Sequence, residues 1–199
     1  DSRDIIEAYL KKRKETSNGK TLQEIRLISK EKNEGPAMAR NTGMELSRGR
    51  YIAFLDADDI WMADKLRKQI EFMKEKDAAF IFSAYEFGDE YAKGTGKVVR
   101  VPEILSYRKA LSRTVIFTTT VVLDKKKIPG ELLSMPVVKS EDTAFWLKLL
   151  RNGFTAYGLD EVLAIYRRPA KSLSSNKIEA IKRIWNTRNL KLISRPGTA

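Results

Sequence analysis

The chain contains 199 residues, of which 42% are hydrophobic and 32% charged, a composition that excludes a disordered or fibrous protein and suffices for one domain with its own core. It contains no cysteine and no histidine, which excludes a disulfide framework and zinc sites built on those side chains. Acid–base chemistry near neutral pH must therefore use Asp, Glu, Lys or Tyr, and a metal ion must be held by oxygen ligands.

The net charge is +12, from 38 Lys and Arg against 26 Asp and Glu. Such an excess favours an anionic partner, namely a nucleic acid, an acidic membrane or a phosphorylated substrate. Solubility alone is an alternative explanation of the charge. No nucleic-acid-binding motif is recognisable, and no apolar run approaches the roughly 20 residues that span a bilayer. No secretion leader is recognisable either, so we expect a cytoplasmic protein.

Helix and strand patterns alternate along the chain. The predicted helices have apolar residues on one face and cap or stop signals at their ends, and they cover about residues 3–15, 36–49, 63–76 and 140–153. The predicted strands are apolar or β-branched runs at residues 25–29, 51–55, 78–87, 115–123 and 162–168. Residues 88–97 are polar and contain glycine, which predicts a mobile loop. The alternation predicts an α/β domain with a mixed, mostly parallel sheet and helices on both faces.

The strand YIAFL (51–55) runs directly into Asp56, Asp58 and Asp59. A continuous apolar run is typical of a strand buried on both faces, and ligands of open α/β sheets collect beyond the carboxyl ends of strands. Asp56 and Asp58 could therefore hold Mg²⁺ or Mn²⁺ and leave coordination positions open for phosphate oxygens. Alternatively, the acids only end the strand and favour the next helix through its dipole.

A second acidic pair, Glu141 and Asp142, begins the predicted helix SEDTAFWLKLLRN, for which Ser140 is the expected N-cap. Acidic side chains are stabilising in a first helical turn without any further role. A carboxylate at such a position can also act as a general base toward a hydroxyl. Taken alone, the residues leave both interpretations open.

Together these segments resemble an inverting, family-two GT-A glycosyltransferase. In that family an N-x-G…A-R-N-x-G segment precedes a strand that ends in a DXD motif, and an E-D pair opens a helix far downstream. The matching residues here are Asn33, Gly35, Ala39, Arg40, Asn41, Gly43, Asp56-Ala57-Asp58 and Glu141-Asp142. The resemblance covers about residues 1–175 and implies a Rossmann-like GT-A fold.

The resemblance implies a role for each motif. Asp58 would bind a Mg²⁺ or Mn²⁺ ion that bridges the diphosphate of a nucleotide-sugar, for which the resemblance implies a UDP-sugar. Asp56 would lie near the ribose and the metal. Asp142 would be the base that deprotonates the acceptor hydroxyl, and the sugar would be transferred with inversion. The residues that would contact the nucleotide-sugar are Asn33, Gly35, Arg40, Asp56, Asp58, Arg167 and Arg168, the last two of which are alternatively solvated surface charge.

Similar bacterial enzymes build wall, capsule, teichoic or teichuronic polysaccharides, which implies a UDP-sugar donor and a saccharide or lipid-linked acceptor. The chain departs from the family at its start, where the first two nucleotide-binding strands are not recognisable. On the resemblance we expect about 40 upstream residues to be absent, and this chain to bind nucleotide-sugar weakly or not at all. The Q-x-x-R-W motif of processive synthases is also missing, which argues against a chain-extending enzyme with membrane spans.

Residues 176–199 form a separate basic segment after the transferase domain of residues 1–175. The pattern predicts an amphipathic helix over about 176–193, with Ile178, Ile181 and Trp185 on one face. Such a helix either packs on the domain or lies in an anionic membrane interface at the inner face of the plasma membrane.

Two other functions are compatible with the residues alone. A metal-dependent nucleotidyltransferase has a similar fold and also places acids at strand ends. A basic membrane- or nucleic-acid-binding module would explain the net charge of +12, but it leaves both acidic pairs without a role.

Overall fold

The computed structural model of the protein describes residues 2–16, 23–112 and 115–167, in two units that comprise Asp1–Glu34 and Gly35–Ala199. The first unit contains helix α1 (Ser2–Thr16), as predicted, and Arg13 donates hydrogen bonds to the backbone carbonyl and the side chain of Gln23. Residues 25–29, predicted as a strand, adopt no regular secondary structure. That prediction is wrong because apolar character alone does not make a strand.

The described part of the second unit contains four α-helices, three of which lie close to the predicted ranges 36–49, 63–76 and 140–153. They are α2 (Gly35–Leu46), α3 (Lys65–Glu75), α4 (Tyr107–Ser112) and α5 (Glu141–Arg151), with 3₁₀ turns at Thr118–Thr120 and Gly130–Leu132. None of the described helices is long and apolar enough to cross a membrane.

The start of α5 differs from the prediction that Ser140 caps it. Ser140 has φ 63° and its side chain makes no capping hydrogen bond. Instead, the Asp142 carboxylate accepts a hydrogen bond from the Thr143 amide at 2.6 Å. An acid of the first turn thus satisfies one of the free N–H groups at this helix end.

One mixed sheet organises the second unit. Its strands are β1 (Tyr51–Ala53), β2 (Ile60–Trp61), β3 (Phe80–Gly88), β4 (Gly94–Val99), β5 (Ile104–Leu105), β6 (Val122–Asp124) and β7 (Ala156–Arg167). The order is β1-β6-β3-β7-β2, with β4 paired to β3 and β5 paired to β7. The expectation of a mostly parallel sheet is wrong for the described residues, where only β3 and β7 pair in parallel. The reason is that β4 follows β3 in a hairpin, while β6 lies between β1 and β3 and runs against both.

The segment 88–97, predicted as a mobile loop, belongs largely to the β3–β4 hairpin. The Asp89 carboxylate accepts hydrogen bonds from the amides of Tyr91 and Lys93, both at 2.9 Å. The Glu86 carboxylate accepts another from the Gly96 amide at 2.6 Å. Acidic side chains therefore close a turn that composition alone assigned to a loop.

Two further predicted strands are shorter than expected. In the run 115–123, the threonines form the 3₁₀ turn, and only Val122–Asp124 is a strand. In the run 51–55, Ile52 and Phe54 are buried but Leu55 is 50% exposed, so burial on both faces is also wrong. The strand itself ends at Ala53.

The core lies on both faces of the sheet, as predicted. On one face Trp146 of α5 packs against Phe80 and Phe54, with ring centroids 5.3 and 6.0 Å apart. On the other face Met73 of α3 belongs to a cluster with Ile81. Phe80 and Ile81 are consecutive in β3 and point to opposite faces, which places α5 and α3 on opposite sides.

Candidate active site

The three carboxylates after β1 occupy a tight turn and lie in different environments. The Asp59 amide donates a hydrogen bond to the Asp56 carbonyl at 3.0 Å, which closes the turn. Asp58 is exposed and makes no hydrogen bond or ion pair with the residues that the structure describes, whereas Asp59 is buried. The turn therefore presents one carboxylate to solvent and holds another inside.

Arg40 joins the two acidic motifs. From α2, its guanidinium donates to Asp56 Oδ1 at 2.8 Å and to Glu141 Oε1 at 2.7 Å. The Arg40 side chain is only 17% exposed, so water screens these ion pairs incompletely. Residues 40, 56 and 141, far apart in the sequence, thus meet at one place.

Asp142 follows Glu141 in the first turn of α5. Its Oδ2 accepts a hydrogen bond from Thr118 Oγ1 at 3.1 Å, and its Oδ1 accepts one from the Thr143 amide. These two bonds fix the orientation of the carboxylate. The predicted base therefore lies beside the carboxylates that Arg40 holds.

Asp59 is a site residue that the sequence interpretation missed. Its carboxylate accepts hydrogen bonds from the Thr119 hydroxyl and from the Arg167 amide, the latter at 3.2 Å. Burial raises the pKa of Asp59 to about 6, and these two hydrogen bonds oppose the rise. Through these two hydrogen bonds Asp59 anchors the turn. A third acid directly before the apolar pair Ile60-Trp61 was the available signal for a buried carboxylate.

Lys65 is a second residue that the sequence interpretation did not single out. It is fully buried at the start of α3, and its Nζ lies 4.3 Å from the centroid of the Trp61 ring. No oxygen or nitrogen of the described residues pairs with that Nζ. Burial lowers the pKa of Lys65 to about 7.

The remaining predicted nucleotide-sugar residues are Asn33, Gly35, Arg167 and Arg168. Gly35 begins α2 with φ 82°, a conformation that favours glycine. Asn33 belongs to the first unit, and Arg168 lies outside the described residues. The Arg167 backbone anchors Asp59, while its guanidinium donates to the Glu90 carbonyl at 3.4 Å.

The carboxylates of the turn suit a sparse site for a divalent cation. Among the described residues no group of three or more acidic side chains converges as a metal cage. Asp56 forms an ion pair with Arg40, whereas Asp58, two residues after Asp56, is an exposed carboxylate. A site with one or two carboxylates is typical of Mg²⁺ or Mn²⁺ ions that complete their coordination with water and substrate phosphate oxygens.

A cavity of about 290 Å³ adjoins these residues between α2 and β1. Arg40 and Asp56 both contribute to its wall, together with apolar groups that include Met44 and Phe54. In the order of the described strands β1 lies at one end, so the cavity is at that end of the sheet rather than at its centre.

Comparison with known proteins identifies the sequence family. Residues 1–125 match the family described as Glycosyl transferase family 2. TuaG of Bacillus subtilis (strain 168), which is named as a teichuronic acid biosynthesis glycosyltransferase, is 42% identical over 92% of this chain and 69% of its own length. WfgD of Escherichia coli, named as a UDP-Glc:alpha-D-GlcNAc-diphosphoundecaprenol beta-1,3-glucosyltransferase, is 38% identical over 81% of this chain and 63% of its own length.

The solved structures support the predicted fold. The crystal structure of S. aureus TarS 1–349 in complex with UDP superposes with a TM-score of 0.62 at 16% identity, and the match covers 92% of this chain and 51% of that one. The chain spans about two thirds of the length of the curated relatives and about half of TarS 1–349. The GT-A α/β fold is confirmed by this likeness, and the sequence matches lead to one conclusion: the chain belongs to glycosyl transferase family 2.

Proposed function

We propose that the full-length gene product is an inverting glycosyltransferase that moves a sugar from a nucleotide-diphosphate donor to an acceptor hydroxyl in cell-surface polysaccharide synthesis. The observation that carries the proposal is the Arg40 bridge, which joins Asp56 of the acidic turn to Glu141, the neighbour of Asp142. The reaction requires the base and the site of the leaving diphosphate to lie on opposite faces of the anomeric carbon of one sugar. Family membership favours sugar transfer over nucleotidyl transfer and over a binding module.

In this mechanism Asp142 is the general base. Its carboxylate takes the proton of the acceptor hydroxyl while that oxygen forms a bond to the anomeric carbon. The bond from the anomeric carbon to the diphosphate oxygen breaks on the opposite face, which inverts the configuration. The hydrogen bonds from Thr118 and the Thr143 amide keep the carboxylate oriented for this transfer.

The acidic turn would hold the donor diphosphate. Asp58, with Asp56 beside it, would hold a Mg²⁺ or Mn²⁺ ion, which supplies Lewis-acid stabilisation of the leaving diphosphate when bound. Arg40 offsets part of the negative charge of Asp56 and Glu141, which reduces the repulsion of an anionic donor. Asn33, Gly35, Arg167 and Arg168 are further nucleotide-sugar residues in this proposal.

The relatives favour a UDP-sugar and a lipid-linked acceptor. The name of WfgD specifies UDP-Glc and a diphosphoundecaprenol acceptor, and TarS has been crystallised with UDP-GlcNAc. We infer the same substrate classes here.

We also infer that residues 176–199 make peripheral contact with the inner face of the plasma membrane. Those residues lie outside the described part of the chain, and retention on anionic liposomes at low salt tests the contact. Equal retention after deletion of residues 176–199 would contradict it.

A sugar-release assay tests the enzymatic proposal. The full-length gene product is incubated with a panel of nucleotide-sugars, with and without Mn²⁺, alongside Asp142→Asn and the matched control Glu131→Gln, which changes an exposed carboxylate. We expect release from a UDP-sugar, a loss of about 10²- to 10⁴-fold in Asp142→Asn, and unchanged turnover in the control. Unchanged turnover in Asp142→Asn would remove this residue as the base.

A further inference from the structure

We propose that Thr118 and Thr119 are positioning residues that set the distance between the proton-accepting carboxylate and the acidic turn. The inference rests on the proposed function, since it assigns Asp142 and the turn to the two sides of the transferred sugar. The two threonines are adjacent, and both are buried, at 1% and 0% exposure. Their hydroxyls reach opposite motifs: Thr118 donates to Asp142, and Thr119 donates to Asp59.

The Thr119 hydroxyl contacts both ends of the acidic turn. It donates to the Asp59 carboxylate, and the Asp56 amide lies 3.5 Å from the same oxygen as a donor. One buried hydroxyl therefore touches the first and the last residue of the segment that carries Asp58. A displacement of Thr119 would move the whole turn.

The 3₁₀ turn is itself fixed from several sides. The Thr119 carbonyl accepts a hydrogen bond from Trp61 Nε1 at 2.8 Å, and the Thr120 carbonyl accepts one from Gln69 Nε2 at 2.7 Å. The chain then enters β6, which is paired with both β1 and β3. The two hydroxyls thus start from a backbone that cannot easily shift.

The residue types support a positional role. Valine has nearly the same shape as threonine and would fill these buried positions in a predominantly apolar run. A buried hydroxyl costs free energy unless it forms hydrogen bonds, and both hydroxyls form them with carboxylates. The hydroxyl groups are therefore required for their acidic partners rather than for packing.

The two contacts predict separate kinetic defects. Among the acidic residues that the structure describes, Thr118 contacts only the proposed base. Thr118→Val should therefore lower kcat about 10- to 100-fold and leave the donor KM within about twofold. Thr119 holds the turn, so Thr119→Val should raise the donor KM and the Mn²⁺ concentration for half-maximal activity about tenfold or more. Serine at either position should restore most of the loss, because it retains the hydroxyl.

The experiment measures kcat, donor KM and Mn²⁺ activation of the full-length gene product for both valine and both serine variants. Thr120→Val is the matched control, because the Thr120 hydroxyl donates to the Phe117 carbonyl and to neither acidic motif. We expect the control to change each kinetic constant less than about threefold. Equal changes in kcat and KM in all three valine variants would overturn the proposal, since general loosening of the turn would then explain them.

A crystal structure of Thr118→Val provides a test that does not depend on activity. We expect the Asp142 carboxylate to adopt a different side-chain rotamer once its hydroxyl partner is removed. An unchanged Asp142 rotamer would overturn the positioning role even if the enzyme were inactive on every donor tested. Failure of the proposed function is recognised separately, by the absence of sugar release from the wild-type protein or by an active Asp142→Asn variant.

Discussion

Arg40 donates to Glu141 at 2.7 Å across 101 residues of sequence, and the same guanidinium holds Asp56. Removal of this side chain would leave two partly buried carboxylates without their cation. We expect Arg40→Met to lower the free energy of unfolding by about 1–3 kcal/mol. Urea denaturation measures this change, with Arg67→Met as the control, because Arg67 is 61% exposed and its ion pairs contribute little. Equal stability of the two variants would contradict the prediction.

The metal requirement should depend more on Asp58 than on Asp56. Asp56 forms an ion pair with Arg40, while Asp58 is exposed and has no ion-pair partner among the described residues. We expect EDTA to abolish sugar transfer and Mn²⁺ or Mg²⁺ to restore it. Asp58→Asn should raise the Mn²⁺ concentration for half-maximal activity at least about tenfold, and more than Asp56→Asn does. Glu131→Gln is again the control, and a larger effect in Asp56→Asn would reverse the assignment.

The buried amine of Lys65 should make the stability of the protein depend on pH. In the folded protein the pKa of Lys65 is lowered to about 7 by burial, from an unfolded value of 10.5. Between these values the unfolded chain binds the proton and the folded chain does not, so the contribution of Lys65 to stability rises with pH. Below pH 7 the folded protein bears the full cost of a buried charge.

Lys65→Met should therefore be more stable than the wild type at pH 6, by about 2–4 kcal/mol, and the gain should shrink as the pH approaches 10.5. Urea denaturation at pH 6, 8 and 10 measures the difference. Lys74→Met, at an exposed position of the same helix, is the control and should show no such trend. A gain that is constant across the pH range would show that packing rather than charge explains it.

Gly158 is a fold position that should not accept a side chain. A Cβ at this residue would lie 2.2 Å from the Pro102 carbonyl oxygen and 3.0 Å from a methyl group of Val101. The Gly158 amide also donates to the Glu103 carbonyl at 2.9 Å, which holds the two segments together. We expect Gly158→Ala to destabilise the protein by about 2–3 kcal/mol or more.

Thermal unfolding measures the effect of Gly158→Ala against Gly130→Ala, whose Cβ would meet no atom within 4 Å. The control should unfold within a few degrees of the wild type. If both variants unfold at the same temperature, the close approach at Gly158 does not constrain the fold.

Periodic segments were predictable from the sequence, and segments shaped by tertiary hydrogen bonds were not. Helices α1, α3 and α5 and strand β3 lie near their predicted bounds. Apolar burial accompanies this agreement in α5 and β3, whereas α3 buries Lys65 and α1 leaves Tyr9 58% exposed. The run around Thr118–Thr120 reads as a strand by its β-branched composition. It turns instead because the threonine hydroxyls bond to distant carboxylates and to the Phe117 carbonyl.

For the candidate site, the sequence identified the acidic motifs but not their supports. Asp56, Glu141 and Arg40 were found through their motifs, and the structure brings all three into contact. The buried role of Asp59 depends on Thr119 and on the end of β7, which lie 60 and 108 residues away. No local pattern contains such a relationship, and the functional roles of the motif residues stay predictions for the experiments above.

The position of β6 between β1 and β3 has a consequence for divergence among related enzymes. Val122 pairs with Ala53 on one side and with Ile81 on the other. This strand register fixes the position of the threonine turn that precedes β6. Surface segments can then lengthen, shorten or change composition without altering the spacing of the acids. A scaffold of this kind can acquire new sugar preferences while its reaction geometry is inherited unchanged.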